Sequence, residues 1–245
     1  MFWNKKTPTK LTAYTWDASI FANYPPTYKT AKKNPIPNWL KNFKSLGKKP
    51  DPVSGILTPT TDVRTCPGIR EFINQGIQFY NWQDTIIQIR PDGTFTYSIP
   101  QTSKHPNVSF HPKEQYQGAY SGERMNVKLA SPWYFACNKP INFVWVESHY
   151  SSSILRDNNI LLPPGIVNYH KQHSTNVNLM FEIRDETYDV DFKMGEPLAT
   201  LFPMTEEDIE FSCELVSREE WENIITLPYA FKSRYHKQFE PVGEE

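Results

Sequence analysis

From Val127 to Ser217 the chain is a succession of short segments rich in β-branched and aromatic residues, each closed by Pro, Gly, Ser or Asn. Runs of this length are too short for a helical repeat, and the residues between them start turns, so the pattern constrains the chain to a β-sandwich or barrel. The predicted strands are 127–130, 133–137, 141–146, 160–162, 176–183, 188–192, 198–203 and 209–216.

Upstream, Pro67-Gly68 opens a predicted helix over 69–74, with Ile69, Phe72 and Ile73 at helical spacing and Gly76 in the stop position. Strands 77–80 and 85–90 follow. The turn Arg90-Pro-Asp-Gly93 leads into an alternating strand over 94–99, and its Asp-Gly pair is the strongest hairpin signal in the chain. Residues 104–130 begin as a polar loop holding His105, His111 and Gln115. At the far end Ser217 and Glu220 form a capping box for a helix over 217–225, with Trp221, Ile224 and Ile225 on its apolar face. The core material is aromatic: 14% of the residues are Phe, Trp or Tyr. Large rings bury much area per residue and suit strands, and a chain this rich in them is not disordered throughout.

Residues 1–60 read differently. Pro25-Pro26, Pro35, Pro37, Pro50, Pro52 and Pro59 disfavour helix and central strand, and only residues 11–16 have strand-type composition. The expected organisation is a proline-rich basic arm over 1–60, a β domain over 61–226 and a fraying tail over 227–245. Between Lys5 and Lys49 there are ten lysines and one acid, Asp17, whereas acids dominate from Glu182 to Glu222. A basic arm can lie on nucleic acid, on an anionic membrane, or on the acidic region of a neighbouring copy. Trp3, Lys5 and Lys6, and Trp39, Phe43 and Lys44, mix aromatic and basic side chains and are the candidate binding residues. With a net charge of -1, the surface as a whole is not a nucleic-acid footprint. Docking onto a protein neighbour is the favoured reading of the arm.

Cys66, Cys137 and Cys213 are odd in number and far apart, which points to a reducing compartment and neither a disulfide framework nor a zinc knuckle. The start, MFWNKKTPTK, has no apolar signal region, and no stretch reaches the length of a membrane span, so neither secretion nor membrane insertion is expected.

Catalytic patterns are incomplete. Cupin-like and oxygenase-like barrels hold a metal by His-x-His or His-x-Asp, and none of the six histidines has His, Asp or Glu two places on. His111, His149, His170 and His173 are weak candidate ligands; on a strand, His170 and His173 point to opposite faces. No Gly-x-Ser-x-Gly elbow, Walker A motif or Gly-x-Gly-x-x-Gly is present. Asp189 and Asp191 share one strand face, where solvent or a lysine partner explains them. No cofactor is expected.

Two resemblances add to this reading. Arg64-Thr-Cys-Pro-Gly68, Trp82-Gln-Asp84, Ser131-Pro-Trp133, Pro163-Pro-Gly165 and the segment from Lys193 to Pro203 resemble a family of uncharacterised proteins of tailed bacteriophages, especially contractile-tailed phages of marine bacteria. That resemblance covers roughly residues 10 to 217. It implies a phage protein in the virion or host cytoplasm, with other phage structural proteins, copies of itself or a host protein as partners.

A weaker resemblance is to the β-barrels of dUTPases and dCTP deaminases, through Gly165-Ile-Val-Asn168, residues 176–181 and residues 195–201. In that family an acid in the first motif contacts the deoxyribose or activates water, and an Arg-Ser-Ser motif with a Gly-rich tail holds the phosphates. Here Asn168 replaces the acid, Ser151-Ser-Ser153 lacks the preceding Arg, Thr200 replaces Gln, and the C-terminal segment carries no Gly-rich arm. An amide cannot act as a general base as a carboxylate does.

The expected fold is therefore mainly β, a jelly-roll or dUTPase-like barrel or sandwich with a few short helices and an extended N-terminal arm. The favoured function is non-enzymatic, a virion-associated structural or accessory protein acting through protein contacts. A diverged nucleotide-processing or metal-dependent enzyme is the first alternative, and a host-directed modulator binding a bacterial protein or nucleic acid is the second.

Overall fold

Alternation of buried and exposed residues along the strands builds a mainly β protein whose longest segment runs through both halves of one sheet. The computed structural model describes residues 7–28, 40, 42–44, 47–60, 62–100, 108–116, 118–120, 122–150, 154–171 and 174–230. In chain order the strands are β1 (Thr9–Thr15), β2 (Thr27–Tyr28), β3 (Lys48–Pro50), β4 (Leu57–Pro59), β5 (Ile77–Tyr80), β6 (Thr85–Ile89), β7 (Phe95–Ser98) and β8 (Val108–Ser109). They continue as β9 (Arg124–Cys137), β10 (Asn142–Glu147), β11 (Gly165–Asn168), β12 (Ser174–Glu182), β13 (Tyr188–Phe192), β14 (Pro197–Pro203) and β15 (Ile209–Leu215). Helices are α1 (Ala18–Asn23), α2 (Pro67–Asn74), α3 (Ile154–Asp157) and α4 (Arg218–Ala230).

One sheet has the order β12-β9-β1-β15, with β8 also on β9, and a second has the order β11-β10-β14-β5-β2. A three-stranded sheet, β13-β6-β7, and a separate pair, β3-β4, complete the fold. The two large sheets meet through rings. Phe79 of β5 stands edge-on to Phe135 of β9 at 6.3 Å, and Phe135 meets Tyr169 at 5.1 Å. The buried Tyr169 hydroxyl accepts a hydrogen bond from the Trp145 indole N–H at 3.0 Å, which satisfies both polar ends. Phe181 and Phe192, at 6.2 Å, tie the three-stranded sheet to β12. Burial of each such ring contributes about 1.5–3 kcal/mol, so this aromatic seam is a principal source of stability.

The N-terminal arm expected over 1–60 needs correction. β1 is an internal strand, antiparallel to β9 and parallel to β15, with Leu11 and Ala13 fully buried. β2 closes the edge of the second sheet against β5. The physical reason is the alternation over 9–15, which sends every second side chain into the core. Between these strands, Asp17 accepts hydrogen bonds from the Ser19 and Ile20 amides and caps α1, a helix too short to leave a periodic signal.

Two other differences have local causes. The segments 127–130 and 133–137 are one strand of 14 residues, and Pro132 lies inside it. Pro132 lacks an N–H, but it falls where the ladder to β12 shifts register between Ser174 and Asn176, just before the pairing of Tyr134 with Tyr14 begins. The predicted strand 160–162 reduces to a single bridge between Leu161 and Met180, because Pro163 and Pro164 cannot extend a ladder. Elsewhere β5 and β13 match their predicted bounds, and Ser217 and Glu220 exchange the two hydrogen bonds of a capping box, at 2.9 and 3.1 Å.

Candidate functional site

Of the candidate binding residues, Trp3, Lys5, Lys6 and Trp39 lie outside the described residues, as does His173. Phe43 is half-buried, with the Arg64 guanidinium 5.5 Å from its ring centroid and bonded to its carbonyl at 3.1 Å. Arg64 in turn pairs with Asp62 at 2.7 Å, so this aromatic–cation pair is satisfied within the chain. Lys44 is exposed beside it.

The described histidines are not brought together. His111 Nδ1 meets Gln115 Oε1 at 2.8 Å, His170 Nδ1 meets the Cys137 carbonyl at 3.1 Å, and His149 Nδ1 lies 3.5 Å from Glu147. Among the described residues no group of three or more His, Cys, Asp or Glu side chains could hold a metal ion. Asp189 accepts from Gln88 and Asp191 pairs with Lys193, the partners expected of an exposed strand face.

Polar side chains inside the second sheet are tied to one another. Gln78 donates to Ser148 Oγ at 2.6 Å and to the Ala199 carbonyl at 2.9 Å, and Ser148 meets Thr200 at 3.1 Å. Both hydroxyls are almost fully buried, which makes this cluster a cross-strand tie. Asn168, which stands where the dUTPase-type pattern has its acid, donates to Asn142 at 3.0 Å and accepts from the His170 amide at 3.1 Å. Its amide is spent on shaping the β11 turn. Burial pushes the Cys213 thiol up to about 12 and also raises that of Cys137, so both stay protonated at neutral pH and are poor nucleophiles. Cys66 sits at the N-cap of α2 and is exposed.

The outward features are of another kind. Among the described residues β7 ends its sheet and β8 pairs only with β9, and a groove of about 580 Å³ runs between them, lined by Phe95, Thr96, Tyr97, Val108, Ser109 and Phe110. Tyr97 and Phe110 expose 42% and 56% of their surface. A second cavity of about 360 Å³ adjoins it at Phe110, with Asp92, His111, Lys113, Glu123 and Arg124 on its wall. Lys113 and Glu123 are paired at 3.1 Å, so the charges there largely answer one another.

The β3–β4 hairpin is more exposed still. Among the described residues it pairs with no other sheet, and every residue from Pro52 to Thr58 is exposed. Val53, Ile56 and Leu57 show 95%, 66% and 60% of their surface. The tip is nonetheless ordered by chemistry: Asp51 accepts from the Val53 amide at 3.0 Å, the Ser54 amide at 2.7 Å and the Ser54 hydroxyl at 2.9 Å. Those bonds hold the Asp51 carboxyl below the usual carboxylate range. Gly55 takes the left-handed conformation, φ +69°, that closes the turn. Prolines dominated the reading of this segment, yet Asp51-Pro-Val-Ser-Gly55 between Lys48-Lys-Pro50 and Leu57-Thr-Pro59 is a legible hairpin signal.

No helix among the described residues is long and apolar enough to cross a membrane. No family model matches the chain, and no curated protein matches it.

Proposed function

We propose that this chain is a non-enzymatic binding protein that works through protein–protein contacts made outside its aromatic core. The observation that carries this reading is the β3–β4 hairpin, three apolar side chains held out from the body on a turn fixed by Asp51. An isolated two-stranded hairpin is marginal in water, and exposed apolar tips of this kind mark contact sites. The open groove beside Tyr97 and Phe110, between two sheet edges, suits a second contact of the same type. The resemblance to proteins of tailed bacteriophages supports a virion-associated structural or accessory role, with the virion or the host cytoplasm as its place.

The test is site-specific photocrosslinking in cells that make the full-length protein. A photoreactive side chain at Val53 is expected to give discrete protein adducts, and the same group at the exposed Asp185 is expected to give none. Identical patterns at the two positions sink the contact reading. Mass spectrometry of purified particles addresses the virion role separately: a fixed number of copies per particle supports it, and absence removes it.

A further inference from the structure

We infer that the hairpin's partner is a second copy of this chain, and that its apolar tip and basic β3 strand seat on the acidic surface formed by residues 204–208 and the outer face of β15. This rests on the protein-contact reading above and names the partner. Charge and exposed apolar surface make the two patches complementary.

On the donating side, Lys48 and Lys49 lie at the base of the hairpin, exposed and in no salt bridge among the described residues, behind Val53, Ile56 and Leu57. On the receiving side, the chain from Met194 to Ser217 holds six acids and no base. Two of those acids are answered within the chain: Glu207 by Lys139 at 2.6 Å, and Glu210 by Lys10 at 3.6 Å. Glu206, Asp208 and Glu214 are exposed and form no salt bridge among the described residues. Met204, beside these acids, is 55% exposed. The hairpin thus combines three large apolar side chains with two unanswered bases, and the receiving surface combines Met204 with unanswered acids.

Surface ion pairs contribute little on their own, so apolar burial by the tip supplies most of the contact and the charges set its partner and orientation. Because the two patches are different surfaces, copies can exchange hairpins reciprocally in a two-fold dimer or join head to tail in a ring or open chain. Among the described residues β15 ends its sheet; the contact uses its outward face, which carries Glu210, Ser212 and Glu214.

The experiment is sedimentation of the full chain over a concentration series, at low and high salt. Wild type is expected to self-associate, and raising salt toward 1 M, where the Debye length falls to about 3 Å, is expected to weaken it several-fold. K48E/K49E and E206K/D208K are each expected to weaken association by about tenfold or more, since like charges then face one another. An equimolar mixture of the two variants restores it, because each carries the surface the other lacks, and one chain bearing all four changes restores it as well. These changes lie on exposed residues, and V53D/I56D tests the apolar part independently with the same expected loss.

A wild type that stays monomeric throughout overturns the proposal, as does association that none of the variants weakens or that the mixture does not restore. The crosslinking at Val53 separates the two levels. Adducts to another protein alone leave the contact reading standing and remove the second copy as partner, whereas no adducts at all remove both.

Discussion

The hairpins β3–β4 and β6–β7 turn by the same chemistry and end in opposite places. In each, an Asp follows or precedes a proline and bonds turn groups just ahead of it: Asp51 binds the Val53 and Ser54 amides, and Asp92 binds the Thr94 amide at 2.9 Å and hydroxyl at 2.7 Å. Each has a left-handed glycine, Gly55 at φ +69° and Gly93 at φ +75°. The strands differ. β6 alternates, burying Thr85, Ile87 and Ile89 completely or nearly so, and β13 pairs along its other side. β3 and β4 read Lys-Lys-Pro and Leu-Thr-Pro, with no alternation and, among the described residues, no third strand. Turn chemistry makes a hairpin; period-two apolar spacing decides whether it joins a core.

The largest expected effect follows from that difference. Ile87→Ala deletes a fully buried side chain from the aromatic core and is expected to cost about 2–5 kcal/mol in chemical denaturation. Ile56→Ala, in dilute protein, is expected to stay within about 0.5 kcal/mol of wild type, as exposed substitutions do. Equal losses at the two positions mean that the hairpin packs on the body after all.

This contrast also marks what was legible in the sequence. Strands such as β5 and β13 were readable because their patterns are local, and the mainly β architecture follows from many such segments. β1 was recognisable as strand-like, but its place between β9 and β15 was not, because pairing Leu11 with Phe211 leaves no trace in either segment alone. β11, at Gly165–Asn168, is concealed by its length of four residues and by the two prolines just before it. For the surface, Phe43 and Lys44 drew notice as an aromatic–basic pair, but Arg64 satisfies Phe43 within the chain. Val53, Ile56 and Leu57 are harder to place, because without the alternation that marks β6 an isolated apolar residue carries no sign of which way it is held.

A smaller effect comes from the glycines. Gly93→Ala forces a side chain into the left-handed region, 3.1 Å from the Ile183 side chain, within a hairpin that belongs to the cooperative body. Its expected cost to global unfolding is about 1–2 kcal/mol. At Gly55 the backbone strain is similar but nothing lies within 4 Å, and every residue from Pro52 to Thr58 is exposed, so Gly55→Ala is expected to leave the global transition unmoved. Matching shifts in the denaturation midpoint contradict the separation of the hairpins.

The smallest expected effect is titration, and it reads the same boundary without any substitution. The Thr94 hydroxyl and amide hold the Asp92 carboxyl low, and the Ser54 amide and hydroxyl, then the Val53 amide, do so for Asp51. A carboxyl depressed below its unfolded value, about 3.9, stabilises its turn above that value and loses the contribution as pH falls through the lower folded value. Both turns are therefore expected to hold at neutral pH and to loosen only in acid. In β6–β7 the ladder to β13 keeps the strands paired after Asp92 is protonated. In β3–β4 the turn is the chief restraint, so the Asp51 amide bond to the Ile56 carbonyl and the Thr60 amide bond to the Gly47 carbonyl open with it. Amide exchange followed as pH is lowered should show those two amides losing protection while the Arg90 amide, bonded to the Thr94 carbonyl, keeps it. Simultaneous loss at all three sites shows instead that the exposed hairpin and the buried one open as a single unit.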